Sequence, residues 1–328
     1  MTAARPRAVF FGSPAFAVPS LRVAAAETEL RAVVSQPDRP AGRGQASSAP
    51  AVKLAAQALG VPIFQPEKVR TPETLATLAA FEADVFIVVA YGRILPQALL
   101  DLPRLGPFNV HASLLPKLRG AAPIQWSIIN GDRETGVSIM RMEAGLDTGP
   151  VAARRALPIA DDDTAGTLSI KLAELGARLL GETLPAIKGG TLVLTPQDQE
   201  AHTLARLLSK ADGRLDFRQP ARLVSAQARG VDPWPGATTT LDGEVIRLFR
   251  PIVLDRAPGH LGDQPGVVVG FHEVSIRGQP EGVLAVSCGD PRDALIGFAE
   301  LQLPGRRRLP TAAVLAGRPI PVGTRLGS

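Results

Sequence analysis

The sequence predicts an α/β protein, in which a Rossmann-like domain with a parallel sheet is followed by a small OB-like β-barrel domain. Three observations support this prediction. Residues 1–190 alternate short β-like runs with helical stretches, which is typical of a parallel sheet with crossover helices. Residues 209–328 instead contain strand-like runs separated by Gly, Pro and Asp turns, the pattern of a β-barrel. Residues 191–208 mix Pro, Thr, Gln and Asp without a clear period, which indicates a linker.

The elements of the first domain follow from short apolar runs and from helical periodicity. The predicted strands are Ala8–Phe11, Leu30–Ser35, Val85–Ala90 and Phe108–His111, and the predicted helices are Pro14–Ala26, Ala49–Leu59, Glu73–Phe81 and Ala122–Asn130. Thr135–Arg141 and Val151–Pro158 alternate apolar and polar residues, which predicts two further strands around a loop, Met142–Pro150.

A long helix and a set of short strands complete the predicted chain. The helix covers Thr164–Ile187 and is ended by the two glycines that follow it. The strands of the second domain are predicted at Thr238–Leu241, Val245–Phe249, Gly266–Val269, Val283–Ser287 and Leu295–Leu303.

The turn after the first strand argues against a dinucleotide site. It reads Gly12-Ser13-Pro14, whereas a dinucleotide-binding turn needs three glycines in the spacing G-x-G-x-x-G. The pattern favours a tight strand-to-helix turn with Ser13 as the N-cap and Pro14 at the first helical position. A nicotinamide-dependent enzyme is therefore disfavoured.

Composition describes a globular chain of 328 residues, 45% apolar and 20% charged. No apolar run approaches the ~18 residues of a membrane span, and the N-terminus shows no export signal. Cys288 is the single cysteine, so an internal disulfide and a Cys-rich metal site are excluded and a reducing, cytoplasmic location is expected. The net charge of +5 suits a polyanionic partner without establishing one.

Three polar residues stand out as candidates for catalysis. Asn109 and His111 are two positions apart at the end of a predicted strand, so their side chains share one face. Strand ends are where open α/β sheets place ligand sites. Asp147 lies between glycines in the loop after the next strand, far enough along the chain to return over the same sheet edge. Taken singly, the His is equally typical of a satisfied core or surface residue, and the Asp of an ordinary turn.

Together the three groups suit acyl or formyl transfer. Such a reaction needs a donor to the developing oxyanion, a proton acceptor for the attacking amine, and a charge that tunes the base. The chain has no G-x-S-x-G elbow and no suitably placed cysteine nucleophile, so a covalent acyl-enzyme is not expected. No metal ligand set is predicted.

Several long motifs in a fixed order resemble the folate-dependent formyltransferases, including those that act on initiator methionyl-tRNA. The resemblance covers nearly the whole chain. The matching segments are Val9–Pro14, Gln36–Gly44, Asn109–Pro116, Arg119–Ile124, Gly145–Gly149, Ser209–Phe217, Pro233–Ala237 and Leu301–Arg307.

The resemblance implies a catalytic, folate-binding domain at 1–190 and a tRNA-binding barrel at 209–328. The implied formyl donor is 10-formyltetrahydrofolate, with no metal. Asn109 and His111 are expected to donate hydrogen bonds to the formyl oxygen, and Asp147 to hold and charge His111. The expected folate-binding residues are Ser113, Leu114, Leu115, Pro116, Tyr91 and Gly92. A cis peptide bond is expected before Pro116.

The implied macromolecular partner is initiator methionyl-tRNA, bound by a monomer without an obligate protein partner. The Pro- and Gly-rich segment Gln36–Ala46 carries Arg39 and Arg43, and on sequence alone it is typical of a solvated loop. The resemblance favours an RNA contact instead, with Arg43 at the acceptor end. Lys210 and Arg214 in the barrel are expected to contact phosphates, which position a nucleic acid without reading its bases.

Three alternatives share parts of this pattern. A formyltransferase for an amino sugar and a hydrolase of 10-formyltetrahydrofolate would both use the same Asn, His and Asp. The Arg43 segment and the trailing barrel favour tRNA over both. A tRNA-binding protein without activity is the third alternative, and it would be expected to have lost one of the three polar residues.

Overall fold

The structure is a computed structural model that describes residues 5–41, 46–254, 264–276, 278–290 and 293–327. The chain divides into two compact units. The first comprises Met1–Pro123, Glu134–Pro158 and Ser169–Arg206, and the second Ile124–Arg133, Ile159–Leu168 and Leu207–Ser328. Within the described ranges, no helix is both long enough and apolar enough to cross a membrane.

The first unit is built on a seven-stranded sheet. Its strands, together with four short ones that pair elsewhere, are β1 (Arg7–Gly12), β2 (Glu29–Val34), β3 (Arg39–Ala41), β4 (Ala46–Ser48), β5 (Ile63–Phe64), β6 (Val85–Val89), β7 (Gly106–His111), β8 (Arg119–Gly120), β9 (Glu134–Arg141), β10 (Val151–Pro158) and β11 (Leu204–Ala205). The order in the sheet is β10-β9-β7-β6-β1-β2-β5. The five strands from β7 to β5 are parallel, and β9 and β10 are antiparallel additions. The predicted parallel sheet is therefore confirmed.

The helices of the chain's first two hundred residues agree with the predicted ones. They are α1 (Val18–Glu27), α2 (Ala51–Ala58), α3 (Pro72–Ala79), α4 (Gln97–Leu100), α5 (Pro123–Ile129) and α6 (Ala165–Gly189). Only the single turn α4 was not predicted. The central strands are apolar on both faces, as parallel strands covered by helices must be, and every residue of Val85–Val89 is buried.

Ser13 does not cap the helix after β1, so that prediction is wrong. Pro14 occupies the N-cap of a short 3-10 turn, Ala15–Ala17, that precedes α1. The Ser13 hydroxyl instead accepts a hydrogen bond from the backbone N–H of Gln36 at 3.1 Å and donates to the carbonyl of Tyr91 at 3.5 Å. The side chain is used to join the ends of neighbouring strands, which leaves it unavailable to the helix.

Residues 191–206, most of the segment predicted as a linker, are held by backbone hydrogen bonds within the first unit. Thr195 and Val151 exchange two such bonds, at 2.8 and 2.9 Å. Strand β11 pairs in parallel with β8, and the carbonyl of Ala205 accepts from Ala121 and Ala122. We call residues 191–206 the strap, because they run across the chain segments that follow β7 and β9.

The second unit contains a six-stranded antiparallel sheet. Its strands are β12 (Ala237–Leu241), β13 (Glu244–Leu254), β14 (Val268–Ile276), β15 (Gln279–Asp290), β16 (Asp293–Gln302) and β17 (Leu309–Pro310). They are ordered β12-β13-β16-β15-β14, with β17 beside β16. The second domain, predicted as a small OB-like β-barrel, is confirmed as an antiparallel β domain, and it also contains helices that were not predicted. Helices α7 (Ala221–Gly230) and α8 (Thr311–Gly317) belong to it, and α7 buries Val224 and Ala228.

Candidate active site

Asn109, His111 and Asp147 meet at the carboxyl end of β7. Asn109 and His111 lie on that strand, opposite Met140 and Ser138 of β9. Asp147 lies in the loop between β9 and β10. The Asn109 amide nitrogen is 3.4 Å from Asp147 Oδ1, and His111 Nδ1 is 3.6 Å from Asp147 Oδ2. The structure thus brings together the three residues that the sequence predicts as catalytic.

The hydrogen bonds of His111 decide which ring nitrogen faces the site. The ring is buried, and its Nε2 lies 3.0 Å from the carbonyl oxygen of Leu118. A carbonyl oxygen only accepts, so Nε2 carries a proton. Nδ1 is then the ring nitrogen that faces Asp147, at 3.6 Å from Oδ2.

Asp147 is fixed by its backbone as much as by its side chain. Its φ is +51°, in the left-handed region that Asp adopts more readily than most residues. The backbone N–H of Gly120 donates to Oδ2 at 2.8 Å. Two residues on, a Cβ at Gly149 would overlap the carbonyl oxygen of Arg141. The loop therefore needs glycine at position 149, which explains one of the two glycines that flank Asp147.

Arg119 and Gln197 are two buried residues beside the site that sequence reasoning missed. The Arg119 guanidinium donates to Gln197 Oε1 at 3.1 and 2.8 Å. Gln197 Nε2 donates to the carbonyls of Asp147 and Gly149, at 2.8 and 2.7 Å. Arg119 does stand in one of the family-like motifs, but no motif or period marks Gln197 in the strap.

The predicted folate-binding turn contains a cis Leu115–Pro116 peptide, which confirms that expectation. Ser113 and Leu115 are buried inside the protein. The Ser113 hydroxyl donates to the carbonyl of Lys117 at 2.6 Å, and Leu115 packs against Met140 and Val151. Leu114 and Pro116 are partly exposed. Of the four residues, these two leave side-chain surface for a ligand.

Tyr91 and Gly92, the other expected folate neighbours, follow β6. The Tyr91 ring is buried in the core against Phe11, at 5.6 Å between ring centroids, and its hydroxyl has no hydrogen-bond partner among the described residues. Burial raises the pKa of this phenol. The Tyr91 carbonyl accepts from the side chain of Gln36 at 2.8 Å. Gly92 is exposed, with a φ of +77°. At this strand end, Tyr91 therefore contacts its neighbours through its backbone carbonyl and not through its ring.

The residues expected to contact RNA are exposed where the structure describes them. Arg39 donates to the side-chain oxygen of Gln36 at 2.9 Å. Arg43 lies outside the described residues. Lys210 and Arg214, in the second unit, are both exposed. Arg308, by contrast, is bound to Glu300 and Asp232 and lies 4.0 Å over the ring of Phe249, so its charge is already partnered.

The grouping at β7 offers a neutral amide donor, an imidazole and a carboxylate in mutual contact. Asn109 has two amide hydrogens, and within the part of the chain that the structure describes its amide nitrogen donates to Asp147 alone, so the second hydrogen is available to a bound oxyanion. The one hydroxyl near this end of β7 on the folate-binding turn, that of Ser113, already donates to a backbone carbonyl. These groups suit polarisation of a carbonyl and transfer of a proton, without a nucleophile of their own.

Comparisons with known proteins match both parts of the chain. Residues 8–184 match the family model described as formyl transferase, and residues 207–319 match its C-terminal domain. A methionyl-tRNA formyltransferase of Sorangium cellulosum is 48% identical, covering 98% of this chain and 99% of its own length. One from Geobacter sulfurreducens is 46% identical, covering 98% and 96%.

A solved structure shares the fold at low identity. It is an N-formyltransferase from Helicobacter canadensis in complex with folinic acid and dTDP-3-aminofucose, with a TM-score of 0.61 and 16% identity, covering 90% of this chain and 98% of that one. This likeness concerns the fold. The family resemblance predicted from the motifs is confirmed by the more similar relatives.

Proposed function

Because the chain belongs to the formyl transferase family, and is therefore a formyl-transferring enzyme, we propose that it formylates initiator methionyl-tRNA. The formyl donor would be 10-formyltetrahydrofolate, and the product would start translation in the cytoplasm. The observation that carries the reaction is the contact of Asn109, His111 and Asp147 at the end of β7. The observation that carries the acceptor is the near full-length similarity to relatives named for methionyl-tRNA.

The reaction starts from the free α-amine of the esterified methionine. An α-amine has a pKa near ~8, so a useful fraction is unprotonated at neutral pH. Its nitrogen attacks the formyl carbon, a C–N bond forms, and negative charge collects on the formyl oxygen. The bond from that carbon to the folate nitrogen then breaks. The amine loses one proton and the folate nitrogen gains one, so no oxidant, reductant or covalent enzyme intermediate is needed.

Each of the three residues has a separate task in this proposal. The free amide hydrogen of Asn109 donates to the developing oxyanion. His111 is the second donor to this oxygen and a carrier of the proton that leaves the amine, in both cases through Nδ1, because Nε2 is held by the carbonyl of Leu118. Asp147 stabilises a proton on Nδ1 and relays the proton that leaves the amine. The leaving folate would lie along the turn that contains Leu114 and Pro116.

Substrate recognition is assigned to basic residues outside this cluster. Arg39 and Arg43 would meet the acceptor end of the tRNA, and Lys210 and Arg214 would contact phosphates along its backbone. The enzyme would act as a monomer, without a metal or an obligate protein partner.

The test is formyl transfer from labelled 10-formyltetrahydrofolate by the purified protein. Methionyl-tRNA should be the preferred acceptor over water and a nucleotide-linked amino sugar, because the tRNA offers the basic residues a run of many phosphates, whereas the sugar nucleotide carries a single diphosphate and water carries none. Asn109→Ala, His111→Ala and Asp147→Asn proteins that remain folded should each be slower by about 100- to 1,000-fold. A wild-type rate in any of them would remove that residue from the mechanism. Preference for water or for the sugar would replace the proposed acceptor.

A further inference from the structure

Two backbone carbonyls of the Asp147 loop accept hydrogen bonds from a side chain that is distant in the sequence. Gln197 lies in the strap, 50 residues after Asp147, and is 6% exposed. Its two amide hydrogens go to the carbonyls on either side of Thr148, at 2.8 Å for Asp147 and 2.7 Å for Gly149. One planar amide thus fixes the backbone at Asp147 and at the glycine two residues later.

The orientation of the Gln197 amide is set by Arg119. The guanidinium of Arg119 is only a donor, and it directs Nε and Nη2 at Gln197 Oε1. The amide oxygen must therefore face Arg119, and the NH2 group must face the loop. A flipped amide would place its NH2 group against the guanidinium and its single oxygen against the two carbonyls, so only one orientation satisfies every group.

Arg119 is connected to Asp147 by a second route. Its neighbour in β8, Gly120, donates its backbone N–H to Asp147 Oδ2 at 2.8 Å. β8 itself is held by the strap, through the bond from the Arg119 backbone N–H to the Thr203 carbonyl and through β11. Asp147 is therefore fixed at its carbonyl through Gln197 and at its carboxylate through Gly120. Both attachments depend on one two-residue strand.

The partners of Arg119 indicate orientation rather than charge neutralisation. Arg119 is 4% exposed, and a buried cation is costly unless its donors are well used. The side-chain hydrogen bonds described for it go to amide oxygens, those of Gln197 and, at 2.9 Å, of Gln199. Because the Arg119 guanidinium binds these amide oxygens, it is not engaged in an ion pair with the Asp147 carboxylate. That carboxylate is therefore left to interact with His111.

We propose that Gln197, oriented by Arg119, is a positioning residue that sets the place of the Asp147 carboxylate relative to His111. It touches neither the reacting atoms nor the formyl donor, so it acts only through Asp147. The inference rests on the proposed role of Asp147. It makes the strap part of the catalytic apparatus rather than a spacer between the two units.

The experiment compares Gln197→Glu with Gln57→Glu. The first keeps the size and the contact with Arg119 but replaces the donating NH2 group by an oxygen that faces two carbonyls. The second adds the same charge to the same unit at an exposed position of α2, outside the strap and the Asp147 loop. Gln197→Glu should lower kcat by about 10- to 100-fold, as expected for a displaced catalytic group, with KM for both substrates changed less than about 3-fold. Gln57→Glu should remain close to wild type.

A neutral variant covers the case in which Gln197→Glu does not fold. Gln197→Met has a similar volume and also removes both donations. Rates are expressed per folded molecule, from cooperative thermal unfolding, and the pH profile of kcat is recorded. A displaced Asp147 shifts the limb of the profile that reports proton transfer, whereas a loss of folded protein leaves its shape unchanged. A wild-type kcat and pH profile in the folded variants would overturn the proposal.

Asp147→Asn separates the two levels of inference. If Asp147→Asn is slow while both Gln197 variants turn over normally, Asp147 keeps its role and Gln197 has none. If Asp147→Asn is as fast as the wild type, the proposed role of Asp147 is wrong, and the proposed mechanism fails with it. If Asp147→Asn and the Gln197 variants are all slow, a double variant should be no slower than Asp147→Asn alone, because Gln197 acts through that carboxylate.

Discussion

Asp147 in the first unit and Asp232 in the second are equally buried, with side chains 13% exposed in both cases, yet their partners differ in kind. Asp147 contacts an imidazole, an amide and a backbone N–H. Asp232 lies 3.4 Å from the guanidinium of Arg308, which also binds Glu300. A guanidinium keeps its proton at any physiological pH, whereas an imidazole gains or loses one near neutrality.

The comparison shows that burial alone does not distinguish the candidate catalytic carboxylate from one that pairs with a fixed charge. The chemistry of the partner does, because an imidazole can take up and release a proton near neutrality and a guanidinium cannot. The exposed Asp38 also pairs with a fixed charge, since its carboxylate accepts from Lys53 at 2.7 Å and from Gln65 at 2.9 Å. These donors hold the pKa of Asp38 below its ordinary value, and the strongest contribution is the hydrogen bond from Lys53. That ion pair fixes the start of the segment that carries Arg39.

The largest expected effect comes from displacing the Asp147 loop at Gly149. In Gly149→Ala the new methyl group overlaps the carbonyl oxygen of Arg141, so the loop must shift, and Asp147 lies only two residues away. We expect kcat for formyl transfer to fall by about 100-fold, the loss that a displacement of about 1 Å causes. The measurement is the steady-state rate, with thermal unfolding recorded on the same protein.

Gly317→Ala in α8 is the matched control. A Cβ there meets nothing within 4 Å, so both rate and stability should stay near wild type. If Gly149→Ala were as active as Gly317→Ala, the geometry of the Asp147 loop would not limit the reaction. The contrast between Asp147 and Asp232 would then lose its catalytic meaning.

An intermediate effect is expected from Lys53→Met, which removes the cation beside Asp38. The segment after Asp38 loses its anchor, while the groups at the end of β7 are untouched. KM for methionyl-tRNA should rise by about 2- to 5-fold, which corresponds to the free energy of one partly exposed ion pair, and kcat should stay unchanged. The exposed Lys68 supplies a control that removes the same charge from the same unit. An equal rise in Lys68→Met would mean that net charge, rather than the Asp38 anchor, determines the affinity.

That Asn109, His111 and Asp147 lie together could be predicted because each of them stands in a recognisable sequence pattern. Asn109 and His111 follow the two-residue period of a strand, and Asp147 stands between glycines in a loop. Gln197 leaves no such mark. Its contact with Arg119 spans 78 residues, and its other partners are backbone carbonyls, which any residue type provides. A side chain that acts on distant backbone is visible only once the chain is folded.

The secondary structure shows the same difference between features that the sequence predicts and features that it does not. Strands and helices with a strong apolar period were predicted close to their observed bounds, as for β9 and α6. Helix α7 was missed, although Val224 and Ala228 share one buried face, because it is a short run of ten residues between turn-rich segments. Tyr91 was expected near a ligand from its place after a strand. Its ring lies in the core because the chain turns at Ala90, whose φ is +47°.

The smallest expected effect concerns Asp232 and is measured as a change in the pH dependence of the melting temperature. Burial raises the pKa of Asp232 in the folded chain, against the opposing pull of Arg308. When the folded pKa lies above the unfolded one, raising the pH ionises the unfolded chain first, so stability is lost between the two values and stays lost above them. Asp232→Asn avoids this cost. Its melting temperature relative to wild type should therefore be higher at pH 7 than at pH 3, by about 2–4 °C for each kcal/mol involved.

Asp216 in the same unit supplies a control of opposite sign. The hydrogen bond from Arg218 is the main cause that lowers the pKa of Asp216, so its ionised form stabilises the fold at neutral pH and this gain is lost on acidification. Asp216→Asn should thus lower the melting temperature at pH 7 and not at pH 3. Neither change should alter kcat for formyl transfer, because both carboxylates are expected to affect only the stability of the second unit. If Asp232→Asn slowed the reaction as Asp147→Asn is expected to, the two buried carboxylates would not differ in role, and the partner chemistry would not be what separates them.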